Sequence, residues 1–551
     1  MDKLKFIAIS GTTGVTENMY VYEYGNDIIV VDCGVGFPEE ATYGVDLVIP
    51  DFSYLLENKQ KVRGLFVSHG HEDHYGAIPF LLKDLDVPIY TTPLTAGFIR
   101  EKLADYNFRG GRITTLNPDK DVTKLGNFTV EAFRVTHSVP DSVGFCITTP
   151  LGKIFHVSDY KFDWTPVDQR PFDTARAVKL AEGGVVMLVS DCLGATSEGY
   201  TKSELEIEKT IEMLIEHAPR RVFFSTISSN ISRMRQAIHA SQIAGRTVAL
   251  AGRSIERKLE IAARLGFISW DKGIVVSTRE AQKLPPEKTT YIISGCYGQL
   301  GSALYRLSLD EHQFLRVEEG DVAIFSADPS PPGTEQSVNY VVDNLIERGA
   351  EVHYYETQED LHVSGHGSQK ELEMLAATLR PRYLVPIGGT VRHMRAYTKL
   401  AQNMGFPAQN VFELREGDTI EMTRDGARRG TPVPVKEVLV DGLGIGDVGN
   451  VVLRDRKTLA QEGIVVVITQ IDRRTGDVVD KPELISRGFV FMKEHQTLLD
   501  EAAKLLVNQI KKRSKKGDGR HVREIAIDVL ERFFFDRIAR RPMILPVVVE
   551  V

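Results

Sequence analysis

Six consecutive residues, His69-Gly70-His71-Glu72-Asp73-His74, constrain this chain more than any other feature. They follow the apolar, strand-like run Gly64-Leu65-Phe66-Val67-Ser68, so the sequence predicts a strand leading into a turn crowded with imidazoles and carboxylates. Imidazole nitrogen and carboxylate oxygen suit Zn²⁺ or Mn²⁺, and a strand-to-helix turn aims His69 and His71 at one ion while Asp73 and His74 reach a second. A solvated polar turn is the plain alternative, and the density of donors argues against it. Further ligands have to come from other strand ends. His137 in Val135-Thr136-His137-Ser138 and Asp159 in His156-Val157-Ser158-Asp159 both close apparent strands. Asp159 suits a bridging role, because a shared carboxylate reduces the repulsion between cations about 4 Å apart.

At 551 residues, 42% hydrophobic and 26% charged, the chain is long enough for about three domains. Its net charge of −8 excludes a wholesale polyanion-binding coat, so any nucleic-acid contact has to be local. The start, Met1-Asp2-Lys3-Leu4-Lys5, runs straight into the strand-like Phe6-Ile7-Ala8-Ile9 without a leader pattern, and no run reaches the ~18 apolar residues of a membrane span. Cys33, Cys146, Cys192 and Cys296 lack the paired spacing of a zinc ribbon or redox motif and read as reduced, buried thiols. The expectation is a cytoplasmic protein without a membrane partner.

Short β-branched runs alternate with amphipathic stretches, as in Ile28-Ile29-Val30-Val31-Asp32, which predicts an α/β fold. Runs at 128–133, 154–159 and 185–191 are strands that end on polar residues, where sites are built. From about Thr201 a fresh series begins, with strands at 222–225, 248–252, 291–295 and 322–326, each paired with helical sequence, the pattern of a separate parallel sheet. Glycines between Val440 and Gly449 mark a connector before a last α/β module.

The order of these motifs resembles that of metallo-β-lactamase proteins carrying a β-CASP domain, and specifically the ribonuclease J family. The likeness runs nearly end to end. It includes Gly44-Val45-Asp46, Thr136-His137-Ser138, Ser158-Asp159, Ser190-Asp191, Ser229-Asn230, Gly252-Arg253-Ser254 and His362-Val363-Ser364-Gly365-His366. It continues through Val452-Leu453-Arg454-Asp455-Arg456-Lys457, Ser486-Arg487-Gly488-Phe489-Val490 and Arg540-Arg541-Pro542, which lie outside the hydrolase core and separate this family from other β-CASP nucleases. The resemblance implies a metallo-β-lactamase αββα sandwich with an inserted β-CASP parallel-sheet domain and a small α/β C-terminal domain. The boundaries read as 1–204 and 356–438 for the two parts of the core, 205–355 for the insertion, 439–462 for a linker and 463–551 for the last domain.

It further implies a Zn²⁺- or Mn²⁺-dependent ribonuclease with 5′-to-3′ exonuclease and endonuclease activity in RNA maturation and decay. Two ions per subunit would be held by His69, His71, Asp73, His74, His137 and Asp159. Catalysis would fall to Asp73, to His366 as general acid, and to Asp191 as the group orienting a ligand imidazole. Single-stranded RNA with a 5′-monophosphate would be held by Ser228, Ser229 and Asn230 and by the loop His362, Val363, Ser364, Gly365 and His366, although Ser229-Asn230 also reads as a helix N-cap. The family suggests a structural Ca²⁺ at Gly44, Asp46 and Asp441, and a homodimer or higher oligomer, or a pairing with a homologue, through the C-terminal module. The basic run Lys511-Lys512-Arg513-Ser514-Lys515-Lys516 reads as an RNA contact or a solvated helix end.

Four positions depart from the family pattern. Gly388 stands where the second metal's last histidine is usual, Thr390 and Gln299 where glutamates are common, and Ser232 where a histidine follows Ser229-Asn230-Ile231. Water would fill the place beside Gly388, or His393 would swing toward it. The second reading is therefore a catalytically weak paralogue that binds RNA or serves as a structural subunit. A small-molecule lactonase or glyoxalase would leave the inserted domain and the C-terminal module without a purpose.

Overall fold

The computed structural model describes residues 3–38, 42–327, 334–442, 444–446, 449–475, 477–489, 496–513 and 519–551. Val490 and the Ser514-Lys515-Lys516 part of the basic run lie outside them. The chain forms two compact units, one of residues 1–36 and 49–437, the other of residues 37–48 and 438–551.

The larger unit is built on two facing sheets. One has eight strands in the order Gly426–Arg429, Thr419–Thr423, Leu4–Ser10, Met19–Tyr24, Asp27–Val31, Val62–Phe66, Ile89–Thr91, Ile113–Thr115. The other has six, Tyr383–Ile387, Val185–Asp191, Gly152–Val157, Val143–Thr149, Phe128–Arg134 and Val122–Leu125. Alternation along the strands turns one apolar row of each sheet inward, so Phe6, Tyr22, Ile29 and Phe66 share a core with Phe145, Ile154, Met187 and Val385. The outer face of the six-stranded sheet is covered by helices Thr174–Ala181, Gln369–Leu379 and Val391–Asn403. Helices Ile78–Asp84 and Pro93–Asp105 bury Phe80, Leu81, Phe98 and Ile99 beside the eight-stranded sheet. This is the αββα sandwich that the resemblance implies.

The inserted segment carries a six-stranded, wholly parallel sheet in the order Val275–Val276, Thr247–Ala251, Thr289–Ile293, Val222–Ser225, Val322–Phe325, Glu351–His353. Its strands are short, and Val222–Ser225, Thr289–Ile293 and Val322–Phe325 are buried along their whole length, as a sheet covered on both faces requires. Buried charge holds the insertion where the chain enters and leaves it. Arg233, with no exposed surface, pairs with Glu204 at 2.8 Å and donates to the Leu361 carbonyl at 2.9 Å and to Ser326 Oγ at 2.5 Å. Glu204 also faces Lys161 Nζ at 3.4 Å, two residues after Asp159. One guanidinium therefore ties the entry segment, the exit segment and the inserted sheet together, and removing it would take the nearest cation from a buried carboxylate.

In the smaller unit, strands Glu483–Arg487, Ile464–Ile471 and Met543–Glu550 form a sheet that shares a core with helices Gln496–Arg513 and Gly519–Ile538. Phe534 is fully buried there and Phe533 packs on it. Residues 439–462, expected as a linker, instead contain the strand pair Val438–Asp441 and Gly444–Ile445 and the helix Asn450–Glu462. Residues 37–48, expected in the core, group with this unit.

Candidate metal centre and cleft

The strand Val62–Phe66 delivers Ser68 and His69, and the short helix Glu72–Tyr75 delivers Asp73 and His74. His137 follows the strand Phe128–Arg134 and Asp159 the strand Gly152–Val157, so the ligand candidates converge from both sheets. His69 Nε2 and His137 Nε2 lie 3.1 and 3.0 Å from His71 Nδ1, and each lies 3.5 Å from Asp159 Oδ2. A tetrahedral ion about 2.1 Å from its ligands needs ligand atoms about 3.4 Å apart. The quartet His69, His71, His137 and Asp159 therefore has the donor types and spacing of such a site. Burial and the neighbouring imidazoles hold His71 well below its usual range, and burial together with the His69 and His366 imidazoles does the same to His137 against the pull of Asp159. Both rings present lone pairs, as a cation requires.

The other half is sparser. Asp159 Oδ2 is 3.4 Å from His74 Nε2, which is 3.6 Å from Asp73 Oδ2, and these three complete the group. Gly388 has φ +66°, and a Cβ built there would lie 3.6 Å from Asp191 Oδ1, so space exists but the backbone is one that side-chain-bearing residues rarely adopt. His393 does not reach toward the ions. Its Nδ1 accepts from the Thr390 N–H at 3.1 Å and caps the helix Val391–Asn403.

The sequence reading missed Asp32, the residue that holds both halves. It ends the strand Asp27–Val31 at φ +61°, has no exposed surface, and its Oδ2 receives His74 Nδ1 at 2.8 Å and the hydroxyls of Ser68 at 3.0 Å and Ser158 at 2.8 Å. Ser68 Oγ in turn contacts His69 Nδ1 at 2.9 Å. Carboxylate support of this kind fixes which imidazole nitrogen faces the ion. Burial opposes the Asp32 charge, but the imidazoles of His74, His156 and His69 together outweigh it and lower the carboxyl. Tyr22 and His156 extend the network behind Ser158, with Tyr22 Oη 2.8 Å from His156 Nδ1. The available signal was a lone carboxylate closing the strand beside the one that carries the histidine run.

His366 Nδ1 sits 2.7 Å from Asp191 Oδ2, and its Nε2 is 3.9 Å from Asp159 Oδ2. Burial pulls this imidazole down, yet Asp191 and Asp159 outweigh it and push it up to about 9. Asp191, expected to orient a ligand imidazole, orients His366, while its Oδ1 accepts from the Leu193 N–H at 2.8 Å. The loop itself is tied to the metal centre, because His137 Nδ1 contacts the Gly365 carbonyl at 2.7 Å. A Cβ at Gly365 would come within 2.6 Å of the His137 ring, so glycine alone fits. Ser364 is exposed and its Oγ accepts from the His366 N–H at 3.0 Å, while Val363 is buried. Asn230 caps the helix Ile231–Ile243 by accepting from the Arg233 N–H at 2.9 Å, with Ser229 buried beside it. Its amide oxygen is thus committed to the helix. Of the other departures, Ser232 is buried in that helix, whereas Gln299 is exposed and accepts from the Tyr297 N–H in its own turn.

In the smaller unit Gly44, Asp46 and Asp441 do come together, but around Arg456. Its guanidinium donates to the Gly44 carbonyl at 3.0 Å and pairs with the Asp441 carboxylate, and Asp46 accepts from the Gly442 N–H at 2.7 Å.

Family models match this chain along most of its length: the metallo-β-lactamase superfamily at residues 12–178, the ribonuclease J β-CASP domain at 219–345, the Zn-dependent metallo-hydrolase RNA specificity domain at 351–411 and the ribonuclease J C-terminal domain at 451–551. Ribonuclease J2 of Bacillus subtilis is 36% identical over 100% of this chain and 99% of its own length. Ribonuclease J of Thermus thermophilus is 37% identical over 100% of this chain and 96% of its own length. The chain belongs to the ribonuclease J family. Ribonuclease J 1 of Streptococcus pyogenes, 36% identical over 98% of this chain and 96% of its own length, is a further relative. A crystal structure of a protein of unknown function from Enterococcus faecalis superposes with a TM-score of 0.54 over 77% of this chain and 100% of that one; at 17% identity it speaks for the fold alone. Among the described residues no helix is long and apolar enough to cross a membrane, and the four cysteines are unpaired and buried.

Proposed function

We propose that this protein is a metal-dependent ribonuclease that hydrolyses RNA phosphodiesters, from a 5′-monophosphorylated end and internally. The single observation that carries the reading is the meeting of His69, His71, His137 and Asp159 at ligand spacing beside His366. His69, His71, His137 and Asp159 would hold a divalent cation, Zn²⁺ or Mn²⁺, which would supply a nucleophile from water at neutral pH and neutralise charge on the phosphodiester. His366, protonated at neutral pH and held by Asp191, donates a proton to the departing oxygen. Asp32 and Ser68 keep the imidazoles of His69 and His74 turned toward the ions, and Gly365 lets the loop backbone approach His137 without a clash. Ser228, Ser229, Asn230 and the 362–366 loop are proposed to hold the RNA, through backbone N–H groups and hydroxyls where Asn230 is already occupied as a cap.

Six ligands assembled in one place favour an enzyme over a scaffold, since a purely structural subunit has no physical need of them. The second ion, short of one donor at Gly388, is proposed to bind weakly. A Ca²⁺ at Gly44, Asp46 and Asp441 belongs to the reading only in a form in which Arg456 yields its place, because that guanidinium already balances Asp441. Self-association or pairing with a homologue is proposed through the smaller unit, whose strand Met543–Glu550 leaves Leu545, Val547 and Val549 exposed. Four unpaired, buried cysteines support a cytoplasmic enzyme. The test is hydrolysis of a 5′-monophosphorylated RNA with added Mn²⁺. Cleavage that is lost on chelation is expected, and its absence with metal present would overturn the reading in favour of a non-catalytic RNA-binding subunit.

A further inference from the structure

Of the six residues in the run 69–74, Glu72 is the one side chain that neither ion group uses. It points the other way, toward the inserted domain. Glu72 Oε2 pairs with Lys102 Nζ at 2.7 Å and Glu72 Oε1 lies 3.8 Å from Lys258 Nζ. Lys258 belongs to the inserted helix Arg253–Arg264, which opens on the Gly252-Arg253-Ser254 motif, and it is 4% exposed. Its ammonium also donates to Tyr75 Oη at 2.8 Å and sits 4.6 Å from the Phe98 ring centroid. Tyr75 adjoins His74 and is 1% exposed. A lysine from the insertion is thus buried against the residue before Asp73 and the residue after His74.

The placement is set by close helix packing. A Cβ at Gly97, on the helix Pro93–Asp105, would come within 2.5 Å of Ile261 Cγ2, so the two helices touch at a glycine and carry Lys258 over the turn. Burying a lysine costs heavily unless it is paired, and here a carboxylate, a phenol and two ring faces receive it. The carboxylate gains in turn. Lys102 at 2.7 Å and Lys258 at 3.8 Å together hold the Glu72 carboxylate, and with it the start of the short helix that carries Asp73 and His74. Backbone bonds pin the other side of the turn, where the Val35 N–H reaches the Glu72 carbonyl at 3.1 Å and the Cys33 N–H the His74 carbonyl at 2.8 Å.

We propose that Lys258 and Glu72 are a positioning pair through which the seated β-CASP helix holds the metal-binding turn in its RNA-cleaving geometry. The inference rests on the nuclease reading of the same centre. It makes cleavage depend on whether the insertion is docked, a dependence that the ligand set alone would not create. The test compares Lys258→Met, Lys258→Arg, Glu72→Gln and the double variant Lys258→Met/Glu72→Gln with the unaltered chain. Each is measured for kcat and KM on 5′-monophosphorylated RNA with Mn²⁺, for Mn²⁺ affinity by electron paramagnetic resonance titration, and for melting temperature. Lys258→Met and Glu72→Gln are each expected to lower kcat about tenfold with KM within about threefold, to weaken Mn²⁺ binding in parallel, and to give a double variant no worse than the poorer single one. Lys258→Arg should recover most of the rate. Losses that multiply in the double variant, a raised KM with kcat intact, or a lowered melting temperature with kcat unchanged would each overturn the proposal. If Lys258→Met fails to fold, Glu72→Gln and Lys258→Arg still decide it by the same kcat criterion. An unaltered chain that cleaves no RNA would overturn the nuclease reading instead, and Mn²⁺ affinity unchanged in Glu72→Gln would then overturn this one.

Discussion

The two halves of the metal centre share Asp159 and come from one six-residue run, yet they differ in completeness. The first half gathers four donors from both sheets, with His71 Nδ1 3.1 and 3.0 Å from His69 and His137 Nε2 and each of these 3.5 Å from Asp159 Oδ2. The second has Asp73, His74 and the shared carboxylate, and faces Gly388 where a fourth donor would stand. Both halves rest on the same buried Asp32, which reaches His74 directly and His69 through Ser68. The difference teaches that support and donor convergence separate: Asp32 backs both groups although the first gathers four donor residues and the second three.

That comparison can be broken most directly at the shared residue. Asp159→Ala is expected to abolish cleavage, a fall of about 10⁴-fold or more in kcat, because it removes an oxygen from both halves at once. Surviving activity would mean that the halves work independently. Next in size is His366→Gln, expected to cost about 10²- to 10³-fold in kcat. Its imidazole is raised to about 9, so it carries a proton at neutral pH and loses it as pH climbs through that value. The rate of the unaltered enzyme should fall on that alkaline limb, and the variant should lack the limb; a variant that keeps it would assign the proton to another group.

A third variant, Asp32→Ala, should weaken metal binding about 10- to 100-fold at both sites, as titration with Mn²⁺ would measure. Weakening confined to one site would show that Ser68 and Ser158 hold the other without it. The smallest effect is expected from Gly388→His. The added imidazole should tighten the second ion by no more than about tenfold, while φ +66° costs about 1–2 kcal/mol of stability, visible as a lower melting temperature. A rise in kcat beyond about tenfold would mark the missing ligand as the factor limiting the natural chain.

Much of this was legible along the chain. The run 69–74, His137 and Asp159 stood out because donors ended apolar strands, the α/β class and the parallel insertion followed from the alternation of β-branched and amphipathic runs, and the αββα core was implied by the family resemblance. Asp32 escaped notice, since a single carboxylate after Ile28-Ile29-Val30-Val31 looks like any strand end. Asn230 had two readings, and the structure gives its amide oxygen to the helix cap. Asp191 and His366 are 175 residues apart, and nothing local links them. The linker expected at 439–462 contains a helix, because glycine-rich punctuation before it masked the 13 residues that follow.

The sequence by itself determined the family, the kinds of donor atom available and the absence of a histidine at position 388, because these depend only on residue identity and order. Tertiary structure alone decided which of those donors converge, that Asp32 supports both halves, that Arg456 lies among the candidate calcium ligands, and that Glu72 turns away from the ions toward a lysine of the inserted domain. The physical reason is distance. Coordination, ion pairing and hydrogen bonding act over about 2 to 4 Å, and which residues come that close is set by how strands and helices pack from opposite ends of a long chain.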